Sequence, residues 1–289
     1  MKGARALRIG FVGAGRVAGG LSMALHEAGL PVTAIASRSH ASAKAVADRI
    51  GGTAFESAQD VADQCDLVFI TTPDGAISTT TDAIQWRAGQ AVVHCSGATE
   101  VSTLATAEKA GAMIGGFHPM QSFGDPATSA RALNGSTITI EAGEPLDGVL
   151  SELAAALGCR INRLLAGKRP LYHASAGYGS QFVNVLLSET ATIWRDWGAS
   201  EEDVIRAILP MIRGTLDAIE KDGIAGGMPG PVSRGDEATV AAHVDALRLM
   251  GPDRLAFYRA HCARTVDLAE EAERIDRDTA NRIRNILSE

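Results

Sequence analysis

Short apolar runs recur along the first 165 residues, each followed by a segment with helical spacing. The runs are Ile9 to Val12, Val32 to Ser37, Thr53 to Phe55, Leu67 to Thr71, Ala91 to His94, Met113 to Phe117, Ser136 to Glu141 and Cys159 to Leu164. Their length and β-branched or aromatic content predict buried strands. Between them, Arg16 to Ala28, His40 to Ile50, a segment closing over Val61 to Gln64, one running toward Trp86, and Leu146 to Leu157 read as helices. Strands alternating with helices predict an α/β domain with a doubly wound parallel sheet over residues 1–165. Beyond Leu165 the strand pattern stops. Pro170 to Trp197, Glu201 to Asp222, Glu237 to Met250 and Pro252 to Leu287 (broken near Asp276) read as helices, so 166–289 is expected to be an all-helical domain.

The first strand runs into G-A-G-R-V-A, in which Gly13, Gly15 and Ala18 take the small positions of a G-x-G-x-x-A turn. Gly13 permits the tight turn, Gly15 lets a pyrophosphate approach the backbone, and Ala18 lets the helix pack closely on the strand. The six residues Gly13, Ala14, Gly15, Arg16, Val17 and Ala18 are therefore the expected dinucleotide cradle, with the helix amides turned to the phosphates. At the end of the second strand, Ser37, Arg38 and Ser39 supply two hydroxyls and a guanidinium without a carboxylate. That set suits the 2′-phosphate of NADP better than the 2′-hydroxyl of NAD. A solvated surface arginine is the alternative reading of Arg38.

The composition is that of an ordinary globular protein, 46% hydrophobic and 21% charged. A net charge of −7 with no lysine-arginine run speaks against nucleic acid and against an anionic membrane surface. The longest stretch free of Asp, Glu, Lys and Arg, Pro170 to Ser188, is too polar to span a membrane. Four dispersed cysteines form no C-x-x-C pair, and the first strand follows almost directly on the start. Buried thiols in a reducing cytoplasm are the expectation. No H-E-x-x-H, paired Cys/His set or acidic cluster suggests a metal, and no G-x-S-x-G elbow suggests a hydrolase.

In such a sheet, ligands lie beyond the carboxyl ends of the strands. There the chain places Thr72 and Pro73, expected at the cofactor, the run His94-Cys95-Ser96-Gly97, and His118-Pro119. Ser96 and Gly97 fall beside the expected nicotinamide and would hydrogen-bond a substrate carboxylate or carbonyl. His94 reads as structural and Cys95 as a buried thiol. His118 has the ordinary pKa of a group that takes or gives the proton accompanying hydride transfer; anchoring of the turn is the alternative. On the first helix of the second domain, expected to be buried, His173, Gly177, Ser180, Asn184 and Ser188 fall within one stripe. A substrate cleft or a neighbouring helix would satisfy it. Arg234, in a Gly/Pro loop, reads as a clamp for an anionic substrate group or as part of a structural turn with Asp236, itself the expected N-cap of the next helix.

The runs H-C-S-G, H-P-M-Q-S-F, Y-H-A-S-A and G-P-V-S-R-G-D together resemble Rossmann-like proteins with a C-terminal helical domain of unknown function. That branch is similar to the superfamily of 6-phosphogluconate dehydrogenase, pyrroline-5-carboxylate reductase, ketopantoate reductase, the β-hydroxyacid dehydrogenases and prephenate dehydrogenase. The resemblance implies a Rossmann-type sheet, a 6-phosphogluconate dehydrogenase C-terminal-like helical domain, and a homodimer built through the latter. Gly116 to Met120 looks like the prephenate dehydrogenase turn whose His meets the substrate hydroxyl, and Ser96 lies where those enzymes place a substrate-contacting Ser. The chain departs from them in lacking D-x-G-S-x-K after His94, and Lys168 is outside a G-x-x-x-K helix. Neither named activity is carried over.

The expectation is an NADP-dependent oxidoreductase acting on a small polar, acidic substrate at a C–O or C–N bond. His118, Ser96, His173 and Asn184 would serve the chemistry, and Gly97, Ser180 and Arg234 would hold substrate. The rival expectation is a non-catalytic NADP-binding sensor or assembly protein.

Overall fold

The computed structural model describes residues 3–289, and the chain falls into two compact units, one ending at Ser180 and one spanning Gln181–Glu289. In the first unit, β1 (Ile9–Val12), α1 (Arg16–Glu27), β2 (Val32–Ala36), α2 (His40–Ile50) and β3 (Thr53–Phe55) make the opening half. There follow α3 (Ala58–Gln64), β4 (Leu67–Ile70), α4 (Ile77–Asp82), β5 (Ala91–His94), α5 (Ala105–Lys109) and β6 (Met113–Pro119). The unit closes with α6 (Pro126–Leu133), β7 (Thr137–Ala142), α7 (Leu146–Ala156), β8 (Arg160–Arg163) and α8 (Arg169–Tyr178). Local chemistry sets many of these ends. Ser39, Ser57 and Asp125 accept hydrogen bonds from the first turns of α2, α3 and α6. Gly51 ends α2 in the left-handed conformation that a side chain would resist.

The strands form one sheet in the order β3-β2-β1-β4-β5-β6-β7-β8. One face buries Phe11, Phe69, Phe117, Ile138 and Ile140, and the other buries Val12, Val68, Ile70 and Val92. Phe11 and Phe69 stack with ring centroids 5.0 Å apart, and Phe117 meets Phe69 edge-on at 5.6 Å. The sheet departs from the all-parallel expectation at one place, because β6 and β7 are antiparallel. Between them α6 docks on α1, where Gly19 and Gly20 leave room for Pro126, Phe123 and Ser129. The link thus stays at the carboxyl edge, and β7 starts from there.

The first unit runs past the boundary expected at Leu165, because α8 folds back onto its sheet. The single helix expected over Pro170 to Trp197 is two, α8 and α9 (Gln181–Trp194). Gly177 and Gly179 weaken the helix, and the Ser180 amide turns to the Gly177 carbonyl. The expected burial also fails: α8 buries only Arg169 and Tyr172, and α9 only Ala191.

In the second unit, α10 (Glu201–Gly226) opens on a Ser200–Asp203 capping box and is kinked at Gly223, with φ 78°. Then come α11 (Glu237–Leu249), α12 (Pro252–Glu271) and α13 (Arg277–Ser288), which enclose a core of Val240, Val244, Val266, Ala280 and Ile283. Among the described residues, no helix is long and apolar enough to cross a membrane.

Candidate active site

The glycine turn has the geometry a phosphate needs. Gly13 has φ 114°, and a Cβ there would stand 2.6 Å from the Thr71 carbonyl. Its amide donates to the Ala36 carbonyl at 2.8 Å, which ties the turn to β2. At Gly15 a Cβ would meet nothing within 4 Å, so the turn opens onto free space. Gly15 is the N-cap of α1 and offers no side chain to its amides, which leaves these donors for an anion. Ala18 is fully buried under the sheet, while Ala14, Gly15, Arg16 and Val17 remain accessible. Thr72 lies against Gly13, and its hydroxyl is buried without a partner. At the end of β2, Ser37 is half-buried and Arg38 exposed; Ser39 accepts from the Ser42 amide at 3.3 Å as the cap of α2. Pro73 is exposed just beyond Thr72. These features fit a dinucleotide.

Beside the carboxyl ends of β5 and β6, where β7 starts, α8 lies over a polar platform. Strand register aligns His94, Gly116 and Glu141 in one row, and His118, Thr139 and Asn162 in the next. Arg169, Tyr172 and His173 recur at i, i+3 and i+4 and so share a face of α8. Arg169 is fully buried; its Nε donates to Glu141 Oε2 at 2.5 Å and its Nη1 to the Ser96 carbonyl at 2.7 Å. Gly116 makes this possible, because a Cβ there would collide with Arg169 Nη2. Tyr172 Oη lies 2.7 Å from His118 Nδ1, with the rings edge-on. The His118 and His173 centroids are 6.0 Å apart, and a Cβ on Gly97 would strike His173 Cδ2.

Burial and nearby basic side chains decide the protonation of this site. Desolvation, then the nearby His173 and Arg169, push the His118 pKa down to about 4. The premise of an ordinary near-neutral pKa is therefore corrected: at neutral pH His118 is an uncharged imidazole. Desolvation and Arg169 push His94 down to about 3. His94 is wholly buried with both ring nitrogens unpartnered, as are Glu100 Oε1 and Arg169 Nη2. Burial also pushes the Cys95 thiol far up, which makes it a poor nucleophile.

A cavity of about 410 Å³ opens beside His118 and His173, walled also by Gln121, Ser122, Ser175 and Ser180. The structure thus brings together His118, His173, Ser180 and Gly97 of the expected site. Ser96 is nearby but engaged in its own loop, its hydroxyl accepting from the Ala98 and Thr99 amides at 3.2 and 2.9 Å. Asn184 and Arg234 belong to the second unit, and the helix break ends the continuous stripe that linked Asn184 to His173. Arg234 is exposed in a 3-10 turn, and Asp236 caps α11 through the Thr239 amide. A depression around Gly3, Leu30 and Ala155 lies away from the strand carboxyl ends and gathers none of this chemistry. Among the described residues, no group of three or more His, Cys, Asp or Glu is placed to hold a metal ion.

Sequence reasoning missed Arg169, Tyr172, Glu141, Thr139 and Asn162. The i, i+3, i+4 spacing of R-P-L-Y-H and the alternation of S-T-I-T-I-E were the available signals.

Comparison with known proteins agrees with this fold. Residues 1–119 match the family model of the Rossmann-like domain, and 136–265 match that of a domain of unknown function, DUF2520. No curated protein sequence matches the chain significantly. Among solved structures, protein TM1727 from Thermotoga maritima is 22% identical, with TM-score 0.72 over 92% of this chain and 99% of that one. An imine reductase from Pseudomonas sp. is 18% identical, with TM-score 0.62 over 93% and 99%. A reductive aminase from Aspergillus terreus, in complex with NADPH and ethyl levulinate, is 13% identical, with TM-score 0.62 over 98% and 92%. At these identities the likeness is one of fold.

Proposed function

We propose that this chain, a Rossmann-like domain followed by a DUF2520 domain, is an NADP-dependent oxidoreductase of a small polar substrate. The observation that carries the reading is the pairing of an open, uncapped glycine turn with a His118–Tyr172 pair beside a cavity on the same carboxyl side of one sheet. The turn from Gly13 to Ala18 would hold the pyrophosphate, Thr72 and Pro73 would border it, and Ser37, Arg38 and Ser39 would meet the adenosine 2′-phosphate. The cofactor, when bound, supplies or accepts the hydride. The protein supplies orientation and a dry environment.

His118 is uncharged at neutral pH, so it serves by hydrogen bonding to the oxygen or nitrogen of a C–O or C–N bond rather than as a standing cation. His173 and Ser180 would line the far wall, and Gly97, lacking a side chain, leaves room for the His118 and His173 rings. Ser96 would act through the shape of its loop, whose carbonyl is held by Arg169. Acidity of the substrate rests on Arg234, and Asn184 is offered as a further polar contact, both on sequence grounds. The cytoplasm is the proposed compartment, consistent with four free cysteines.

Paired fluorescence titrations with NADPH and NADH on nucleotide-stripped protein test the reading. The expected outcome is at least ten-fold tighter NADPH binding, about 1.4 kcal/mol, and loss of that preference in Arg38→Ala. Binding of neither nucleotide would refute the cofactor assignment. Binding without oxidation of NADPH across a panel of carbonyl and imine compounds would favour the sensor reading.

A further inference from the structure

Ser37, Arg38 and Ser39, at the end of β2, carry no carboxylate, but the sheet brings one beside them. β2 and β3 run parallel with Ala36 paired to Phe55, so Ser37 and Glu56 leave their strands side by side at the carboxyl edge. Paired strands lie about 4.8 Å apart, which puts the Glu56 backbone next to the residues expected at the adenosine 2′-phosphate. The Glu56 side chain is 81% exposed, and His40 Nδ1, on the first residue of α2, stands 3.4 Å from its Oε1.

The other charged groups on these elements are engaged locally. Lys44, one turn along α2 from His40, donates to both oxygens of Asp48 at 2.8 and 2.9 Å. Asp60, in the first turn of α3, accepts from the Ser57 hydroxyl at 2.7 Å. Arg38 is exposed and, among the described residues, makes no ion pair. The edge therefore offers an incoming anion one free guanidinium and, beside it, one carboxylate with an imidazole on it.

We propose that Glu56 is a specificity-determining residue that opposes the 2′-phosphate of NADP, and that His40 offsets it by occupying its carboxylate. The inference rests on the cofactor assignment above and limits it: Arg38 favours NADPH, and Glu56 restrains that preference. A phosphate monoester carries nearly two negative charges at neutral pH. Across water, two such charges against one at about 7 Å amount to about five-fold in affinity at low ionic strength, and to little at high. NADH, with a hydroxyl in that place, is nearly indifferent. The cluster thus sets the ratio between the two nucleotides, through a repulsive element as well as an attractive one, while the glycine turn would hold the part they share.

The test is fluorescence titration of the nucleotide-stripped full chain with NADPH and with NADH, at about 0.01 M and about 1 M salt. Glu56→Gln should bind NADPH about five-fold tighter than wild type at low salt, with the gain lost at high salt and NADH affinity unchanged. His40→Asn should weaken NADPH binding about three-fold in the wild-type background and leave it unaltered in Glu56→Gln. Neither side chain is buried, and unchanged NADH affinity verifies that the variants are folded. An unchanged NADPH affinity in Glu56→Gln would overturn the proposal. So would a gain that persists at high salt, because it would come from shape and not from charge. Weaker NADH binding in Glu56→Gln with NADPH unaffected would make Glu56 a ribose ligand and overturn it as well. Equal losses from His40→Asn in both backgrounds would remove the role given to His40. A wild type that binds neither nucleotide sinks the cofactor assignment and this inference together, whereas an unaltered preference in Glu56→Gln sinks this inference alone.

Discussion

At the scale of residues, one missing methyl group organises the site. Gly116 lies on β6 opposite Glu141, and its bare Cα is where the Arg169 guanidinium rests. Gly116→Ala should therefore displace a fully buried cation from its carboxylate, and breaking such a pair costs about 3 kcal/mol or more. Chemical denaturation should show the loss as a lower midpoint with an unchanged slope. The same change at Gly15, which faces open space, should leave the midpoint within about 0.5 kcal/mol of wild type and weaken nucleotide binding instead. Similar stability losses at both glycines would contradict this division of roles.

At the scale of elements, the carboxyl ends of β5 and β6 bury two histidines under α8 in their neutral form. Burial holds His94 near 3 and His118 near 4, whereas the unfolded chain protonates both around their ordinary values. Below about pH 6.5 the unfolded state thus binds more protons than the folded state, and stability falls with pH by up to about 1.4 kcal/mol per unit for each histidine. The fall should continue to about pH 4 for His118 and about pH 3 for His94. Thermal unfolding measured from pH 8 to pH 4 should show a plateau above pH 7 and a decline below it. His118→Asn should make the decline shallower; an unchanged profile would place the acid sensitivity elsewhere. α8 is the element the sequence described least well. Its polar stripe was read from His173 onward, whereas its buried contacts are made by Arg169 and Tyr172 at its start.

At the scale of the whole molecule, each unit has its own apolar core, and the second exposes aliphatic side chains on α9 and α10. Val185, Leu186, Ile205, Met211 and Leu216 are 42 to 61% exposed. Apolar surface of this kind suits the homodimer through the helical domain that the family resemblance implies. Light scattering on the purified protein should give twice the chain mass. Substituting Glu for Leu186 and Met211 together should give the chain mass while nucleotide affinity is retained. A wild-type protein that is monomeric at micromolar concentration would rule the dimer out.

The alternation of apolar runs with helical spacing, by itself, determined the strands, most of the helices and the glycine turn, because these depend on periodicity and on backbone freedom at single positions. Gly13 needs a left-handed φ whatever surrounds it, and Ala18 must be small for any close-packed helix. Only the tertiary structure decided that β7 turns back against β6, and that α8 folds onto the sheet to join Arg169 with Glu141 and Tyr172 with His118. Those pairs are separated by 28 and 54 residues along the chain. Their contacts follow from strand register and the seat of one helix, which no local pattern encodes. The protonation of His118 belongs with them, since an imidazole is held neutral only through what is packed around it.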